Sequence, residues 1–141
     1  MSMKISVVTP LLNEEGNVTE LCDRIASVIA QLPYDYEHLC IDNCSTDRTV
    51  ILLRERAALD SHLRIIVNAR NFGYIRSSFH ALLQVCGDAA VLIASDLQDP
   101  PEKIVELVKQ WEAGFKTVMA SSLSVRSPHG CSPSASSTTR P

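Results

Sequence analysis

What most limits the folds open to this chain is an alternation of two hydrophobic periods. Five short runs rich in aliphatic and β-branched residues read as strands: Ile5 to Leu12, His38 to Ile41, Leu63 to Val67, Ala89 to Ala94 and Thr117 to Ala120. The intervals carry the one-sided spacing of amphipathic helices, first at Val18, Leu21, Cys22, Ile25, Val28 and Ile29. The same spacing recurs over Val50 to Leu59, Phe79 to Val85 and Ile104 to Trp111. Strands that alternate with helices join as βαβ units, so the pattern predicts an α/β fold: a mostly parallel sheet with helices on both faces. Val91 to Ala94 is continuously apolar and Ile5 to Val8 is apolar but for Ser6, rather than alternating, which fits strands covered on both faces.

Composition narrows the partners. With 141 residues, 45% hydrophobic and 21% charged, the chain suits one domain with a real core. A net charge of -3, with no stripe of Lys and Arg, argues against a nucleic-acid partner. Five cysteines (Cys22, Cys40, Cys44, Cys86 and Cys131) form an odd set without a C-x-x-C, most of them inside apolar patterns. That usage reads as small hydrophobes in a reducing, cytoplasmic setting. No run approaches the roughly 18 apolar residues that cross a bilayer, so no membrane span is expected. Near residue 121 the composition shifts. Ser124 to Pro141 holds six serines, two threonines and three prolines and no acid, which predicts a domain over 1–122 and a disordered Ser/Pro-rich tail over 123–141. A truncated or frame-shifted end is the sharper reading of that tail, a flexible linker the softer one.

Polar residues cluster where each strand ends: TPLLNEEGN after the first, IDNCSTDRT at the second, NARNFG after the third and SDLQDPP after the fourth. In an open parallel sheet these loops gather on one edge, where such folds bind ligands. A polar, acidic crevice suits a divalent metal with a polyphosphate, because Mg2+ or Mn2+ takes one or two carboxylates and completes its shell with water and phosphate oxygens. Asp96 with Gln98 supplies that partial shell. Asp99 reads instead as a helix N-cap, with Pro100 as first helical residue and Glu102 closing a capping box. Asp42 is open to two roles, accepting hydrogen bonds from a base or ribose, or capping the turn before Ser45. Glu14 and Glu15, taken alone, read as a solvated face. There is no G-x-G-x-x-G or G-x-x-x-x-G-K-[ST] loop, which disfavours dehydrogenases and P-loop NTPases. Phosphate must then be held by a metal, or by a helix N-terminus such as one beginning near Ser45.

The ordered set TPLLNEE, DNCSTDRT, RNFG and DLQDPPE resembles the nucleotide-binding half of a family 2 glycosyltransferase with the GT-A, Rossmann-like fold. The likeness is to the branch that transfers sugars to polyprenyl phosphates, and it covers about residues 3 to 120. One such motif is weak; four in order, in the right strand context, are specific. The resemblance implies inverting transfer from a UDP- or GDP-linked sugar to a polyprenyl phosphate, with Mg2+ or Mn2+ as cofactor, in cell-wall or polysaccharide assembly. Pro10 and Glu14 would line the nucleotide pocket, Asp42 would read the base, and Asp96 and Gln98 would hold metal and diphosphate. A general base and a membrane-associating region, peripheral at the inner face of the membrane, are expected beyond these residues. Two departures stand out. Ala94 occupies the first position of what is often D-x-D, and Asn43, Cys44 and Arg48 stand where Asp, Gly and Gly are frequent, which removes flexible turn residues. The alternatives are a truncated, non-catalytic nucleotide-sugar binding module and, last, a nucleotidyl transferase, which needs a Gly-rich basic loop that the first βα turn lacks.

Overall fold

The structure, a computed structural model, describes residues 2–120; the tail expected over 123–141 lies outside the described residues. Four strands and four helices alternate: β1 (Lys4–Leu11), α1 (Val18–Ile29), β2 (Asp35–Asp42), α2 (Thr49–Ala57), β3 (Leu63–Val67), α3 (Tyr74–Leu82), β4 (Ala89–Leu92) and α4 (Lys103–Glu112). The strands form one parallel sheet in the order β3-β2-β1-β4. The chain thus winds outward from β1 to β3 and then returns to add β4 on the other side of β1. That reversal makes a topological switch point between β1 and β4, where a crevice opens at the strands' C-terminal ends.

Strand parity decides what each face buries. Ile5 and Val7 of β1 point with Val91 and Ile93 into a cluster with Leu21, Ile25, Val28 and Ile29 of α1 and Ile104 and Val108 of α4. Leu11 and Cys40 continue that face beneath α1 and α2, against Val18, Cys22 and Leu53. The alternate residues Val8, Leu39 and Ile41 meet Ala81 of α3 on the opposite face. Helices therefore cover both faces, which fits the apolar Ile5, Val7 and Val8 of β1; Ser6 and Thr9, also buried, are hydrogen-bonded.

A buried carboxylate closes the sheet's N-terminal edge on the α3 side. Glu37 accepts from Ser6 Oγ (2.6 Å), the Cys86 amide (2.8 Å) and Arg64 Nη1 (2.6 Å). Burial pushes its pKa up, but these hydrogen bonds outweigh burial and hold it at about 2. Gly87 is required here: a Cβ at that position would lie 2.5 Å from Ser6 Oγ.

Three expectations are corrected. Thr117 to Ala120 forms no strand, so the sheet has four strands among the described residues. A strand exists only through its ladder, and this run pairs with no neighbour despite its composition. Helix α3 begins at Tyr74, five residues before Phe79. Asp99 is not an N-cap: α4 starts at Lys103 behind a tight turn in which the carbonyls of Pro100 and Pro101 accept the amides of Lys103 and Ile104, both at 3.0 Å. The helix starts four residues past Asp99, so its first amides lie beyond the reach of that side chain. Asp99 instead pairs with Lys103 Nζ at 3.2 Å, and Glu102 turns away to Arg24 at 2.7 Å.

Candidate functional site

At the switch point lies a cleft of about 360 Å³ whose lining includes Pro10, Glu14, Asn43, Asn71, Gly73 and Asp96. Register puts them there. Leu11 pairs with Asp42 and Asp42 with Val67, so the loops after β1, β2 and β3 leave the sheet at one level. A larger groove of about 650 Å³ runs between the outer edge of β4 and α4, lined largely by apolar residues such as Val91, Trp111 and Phe115; the polar chemistry lies in the smaller cleft.

The loops after β1 and β2 are sewn together. Asn13 Oδ1 accepts the Thr46 amide (2.9 Å), Ser45 Oγ accepts the Asn13 amide (2.8 Å) and Thr49 Oγ1 accepts the Glu14 amide (2.9 Å). Glu15 is exposed, as a solvated acid would be, and accepts the Arg48 amide at 3.0 Å. Asp47 accepts the Thr49 amide (2.9 Å) and hydroxyl (2.5 Å), and these bonds, outweighing slight burial, hold its pKa below the usual carboxylate range. The amides of Ser45, Thr46, Arg48 and Thr49 are therefore spent on side chains of the protein, and the helix start expected near Ser45 falls at Thr49. This corrects the idea that free N–H groups there hold phosphate, because donors already satisfied cannot serve an anion.

Of the two roles open to Asp42, turn capping is the one formed. Its carboxylate is fully buried and accepts both the amide (2.9 Å) and the hydroxyl (2.5 Å) of Ser45. The neighbouring Asn43 is the hub that the sequence does not reveal. Its Oδ1 accepts from the Phe72 amide (2.9 Å), Ser77 Oγ (2.9 Å) and Asn68 Nδ2 (3.2 Å), and its Nδ2 donates to Asn71 Oδ1 at 2.7 Å. The RNFG loop is thus pinned to the end of β2 by one amide. Only the register of β2 against β3 reveals this; the single signal in the sequence is the pair of asparagines in NARNFG.

Glu14 bridges the first loop to the fourth, its two oxygens accepting from Ser95 Oγ (3.1 Å) and Asn17 Nδ2 (3.0 Å). Asp96, next in chain, is exposed at the cleft: its Oδ1 accepts the Gln98 amide at 3.1 Å, and its Oδ2 receives no hydrogen bond among the described residues. The structure therefore brings Pro10, Glu14 and Asp96 to one cleft, sets Asp42 beneath it, and leaves Gln98 exposed outside the lining. Among the described residues, three non-glycine residues adopt positive φ, and all follow strand ends: Asn13 (53°), Cys44 (68°) and Leu97 (60°). Backbone strain of this kind persists only where surroundings enforce it, and it collects at sites.

The donor set tests whether a hard divalent cation fits. Every candidate ligand atom at the cleft is oxygen, with Asp96 open and Glu14 beside it in the lining; no trio of acids, histidines or cysteines gathers there among the described residues. One or two carboxylates are what Mg2+ or Mn2+ uses when substrate phosphates and water supply the rest. The residues fit.

Comparison with known proteins agrees with this fold. The family described as Glycosyl transferase family 2 matches residues 6–130, and the chain belongs to that family. It is 36% identical over 118 residues to the uncharacterized glycosyltransferase YkcC of Bacillus subtilis (strain 168), covering 84% of this chain and 36% of that protein. It is 35% identical over 116 residues to the undecaprenyl-phosphate 4-deoxy-4-formamido-L-arabinose transferase of Proteus mirabilis (strain HI4320), covering 82% of this chain and 36% of that one. The chain thus spans about a third of the length of these relatives. Among solved structures, glucosyl-3-phosphoglycerate synthase from Mycobacterium tuberculosis, in complex with Mn2+, UDP and glucosyl-3-phosphoglycerate, superposes with a TM-score of 0.60 at 31% identity, covering 77% of this chain and 39% of that one. The architecture is that of the nucleotide-binding half of a GT-A glycosyltransferase. No helix among the described residues is long and apolar enough to cross a membrane.

Proposed function

We propose that this chain is the donor-binding part of an inverting glycosyltransferase that moves a sugar from a UDP- or GDP-linked donor to a polyprenyl phosphate at a membrane surface. The observation that carries the reading is the open carboxylate of Asp96, in the turn after β4, lining the switch-point cleft together with Glu14. The names of relatives support the acceptor class, one of them being an undecaprenyl-phosphate sugar transferase. A bound Mg2+ or Mn2+ would neutralise the departing nucleoside diphosphate. The chain's own residues do the positioning. Pro10 and the stitched Asn13–Thr46 loops shape the nucleotide end, and Asp42 fixes that shape from below through Ser45. Glu14, tied to Ser95, sets the height of Asp96; Gln98 is assigned to the diphosphate side, its amide already holding Asp96 Oδ1. An acceptor oxygen attacking the anomeric carbon opposite the leaving group inverts it, and the base that takes its proton is expected outside these residues.

Titration calorimetry with UDP-glucose and GDP-mannose, each with Mn2+ and with chelator, tests this. The expected result is heat from one donor that needs metal and that Asp96→Ala removes. No heat from either donor, or heat untouched by Asp96→Ala, counts against the reading.

A further inference from the structure

Among the described residues, one group of metal-ligating side chains outside the cleft gathers in the core. Cys22 projects from the second turn of α1, while His38 and Cys40, two residues apart on β2, share the face beneath it; all three are buried. One ligand atom from each lies within 4.8 Å of the others, and Cys40 Sγ is 3.5 Å from His38 Nε2. Thr9 Oγ1, on the adjacent strand, is 2.9 Å from the same nitrogen. We propose that Cys22, His38 and Cys40 form a zinc(II) site that clamps α1 to β2 and is distinct from the cleft cation.

Three arguments carry this. The first is geometric. Zinc at roughly 2.3 Å from sulfur and roughly 2.0 Å from nitrogen, with tetrahedral angles, needs ligand atoms about 3.5 to 3.8 Å apart. The Cys40–His38 pair already meets that spacing, and the third ligand needs only a small side-chain adjustment.

The second is electrostatic. Two thiolates, a neutral imidazole and Zn2+ sum to zero charge, which suits an interior walled by Leu11, Val18, Leu53 and Leu63. Hard cations prefer oxygen, which no core acid offers among these ligands, so the cluster discriminates against the Mg2+ or Mn2+ expected at the cleft. Zinc deprotonates its thiols outright, their protons passing to solvent as the Zn–S bonds form.

The third is tautomeric. Nε2 faces two groups able to donate, the Thr9 hydroxyl and the Cys40 thiol, which favours the imidazole form whose lone pair lies on Nε2. That lone pair is the one a metal takes, with the Thr9 hydroxyl or a water left to complete the fourth position. The clamp would join the two elements that flank the first and second loops, since α1 follows Glu14 and β2 ends at Asp42.

The test is a cobalt(II) titration of the reduced, metal-free 141-residue chain, followed by displacement with zinc. One equivalent should raise a thiolate-to-cobalt charge-transfer band and intense tetrahedral d–d bands, and zinc should bleach both. A background carrying Cys44→Ser, Cys86→Ser and Cys131→Ser should behave identically, whereas Cys22→Ala and Cys40→Ala should each lose the bands. Circular dichroism confirms that each variant is folded, and His38→Gln, which can keep the Thr9 hydrogen bond, stands in for any that is not. One equivalent of zinc should also raise the Tm by roughly 5 °C over chelator. Absence of charge transfer in the wild-type chain, or its survival in Cys22→Ala or His38→Gln, overturns the proposal.

Discussion

The two edges of the sheet each carry a carboxylate on a strand or its end, and they treat it in opposite ways. At the N-terminal edge Glu37 is filled from within: Ser6 and Cys86 occupy one oxygen and Arg64 the other. At the C-terminal edge Asp96 keeps Oδ2 free, although the loops around it are as heavily hydrogen-bonded as any part of the molecule. A buried acid that the protein satisfies alone belongs to the fold. An acid left exposed in the turn after β4, next to Leu97 at positive φ, is one that a ligand can reach without breaking a bond of the fold.

If that contrast is right, the largest loss of stability follows from emptying the saturated edge. Glu37→Ala leaves the Ser6 hydroxyl, the Cys86 amide and Arg64 without their acceptor and should cost about 4 kcal/mol by denaturant unfolding at neutral pH. Donor affinity of the protein that remains folded should be unchanged. An equal fall in affinity would mean that the two edges are coupled.

Acid should reach the same group without mutation. The folded pKa of Glu37, about 2, lies below its unfolded value of about 4.5, so its contribution is complete above pH 4.5 and disappears as pH falls toward 2. The linked loss amounts to roughly 3 kcal/mol, and Glu37→Gln should flatten this part of the stability–pH curve. A curve with the same slope in both proteins would assign the acid sensitivity to other carboxylates.

At the cleft edge the amide hub is the weak point. Asn43→Ala strips an acceptor from Phe72, Ser77 and Asn68 together and should cost about 2 kcal/mol, part of the loss being relieved by water at the half-open loop. Hydrogen exchange should then speed up at residues 70–73 before it does so in β1. Uniform loss of protection would make Asn43 a core residue rather than a loop clamp.

The parts legible in the sequence are those that follow from local period. The β1, β3 and α1 bounds differ by at most one residue from their apolar runs, and the crevice edge follows from polar residues at strand ends. Helix α3 was misplaced because its pattern is inverted: Ile75, Phe79 and Leu83 face outward while Ser77, Ser78 and Ala81 are buried, so apolar spacing marks the wrong side. Thr117 to Ala120 shows the opposite failure, strand composition without a partner. The roles of Asn43, Ser95 and Thr49 were hidden because these partners lie 25 or more residues away, across a sheet order that no local window contains. Asp42 was legible only as two alternatives, of which its bonds to Ser45 form the capping one.

The smallest expected effect tests whether strain at the open edge is incidental or held in place. Cys44 sits at φ 68°, and its Sγ makes a long contact, 3.8 Å, to the Ala69 carbonyl. A left-handed conformation costs a side-chain-bearing residue about 1 kcal/mol, while glycine gives back part of that through a freer unfolded chain. Cys44→Gly should therefore stabilise by about 0.5 kcal/mol, read as a shift in denaturation midpoint at constant m-value. Asn13→Gly relieves a similar φ of 53° yet should destabilise, because Asn13 Oδ1 holds the Thr46 amide and so joins the first two loops. Opposite signs at two residues of like backbone geometry would separate strain that the site tolerates from side-chain bonding that builds it. Equal signs would reduce both positions to backbone energetics alone.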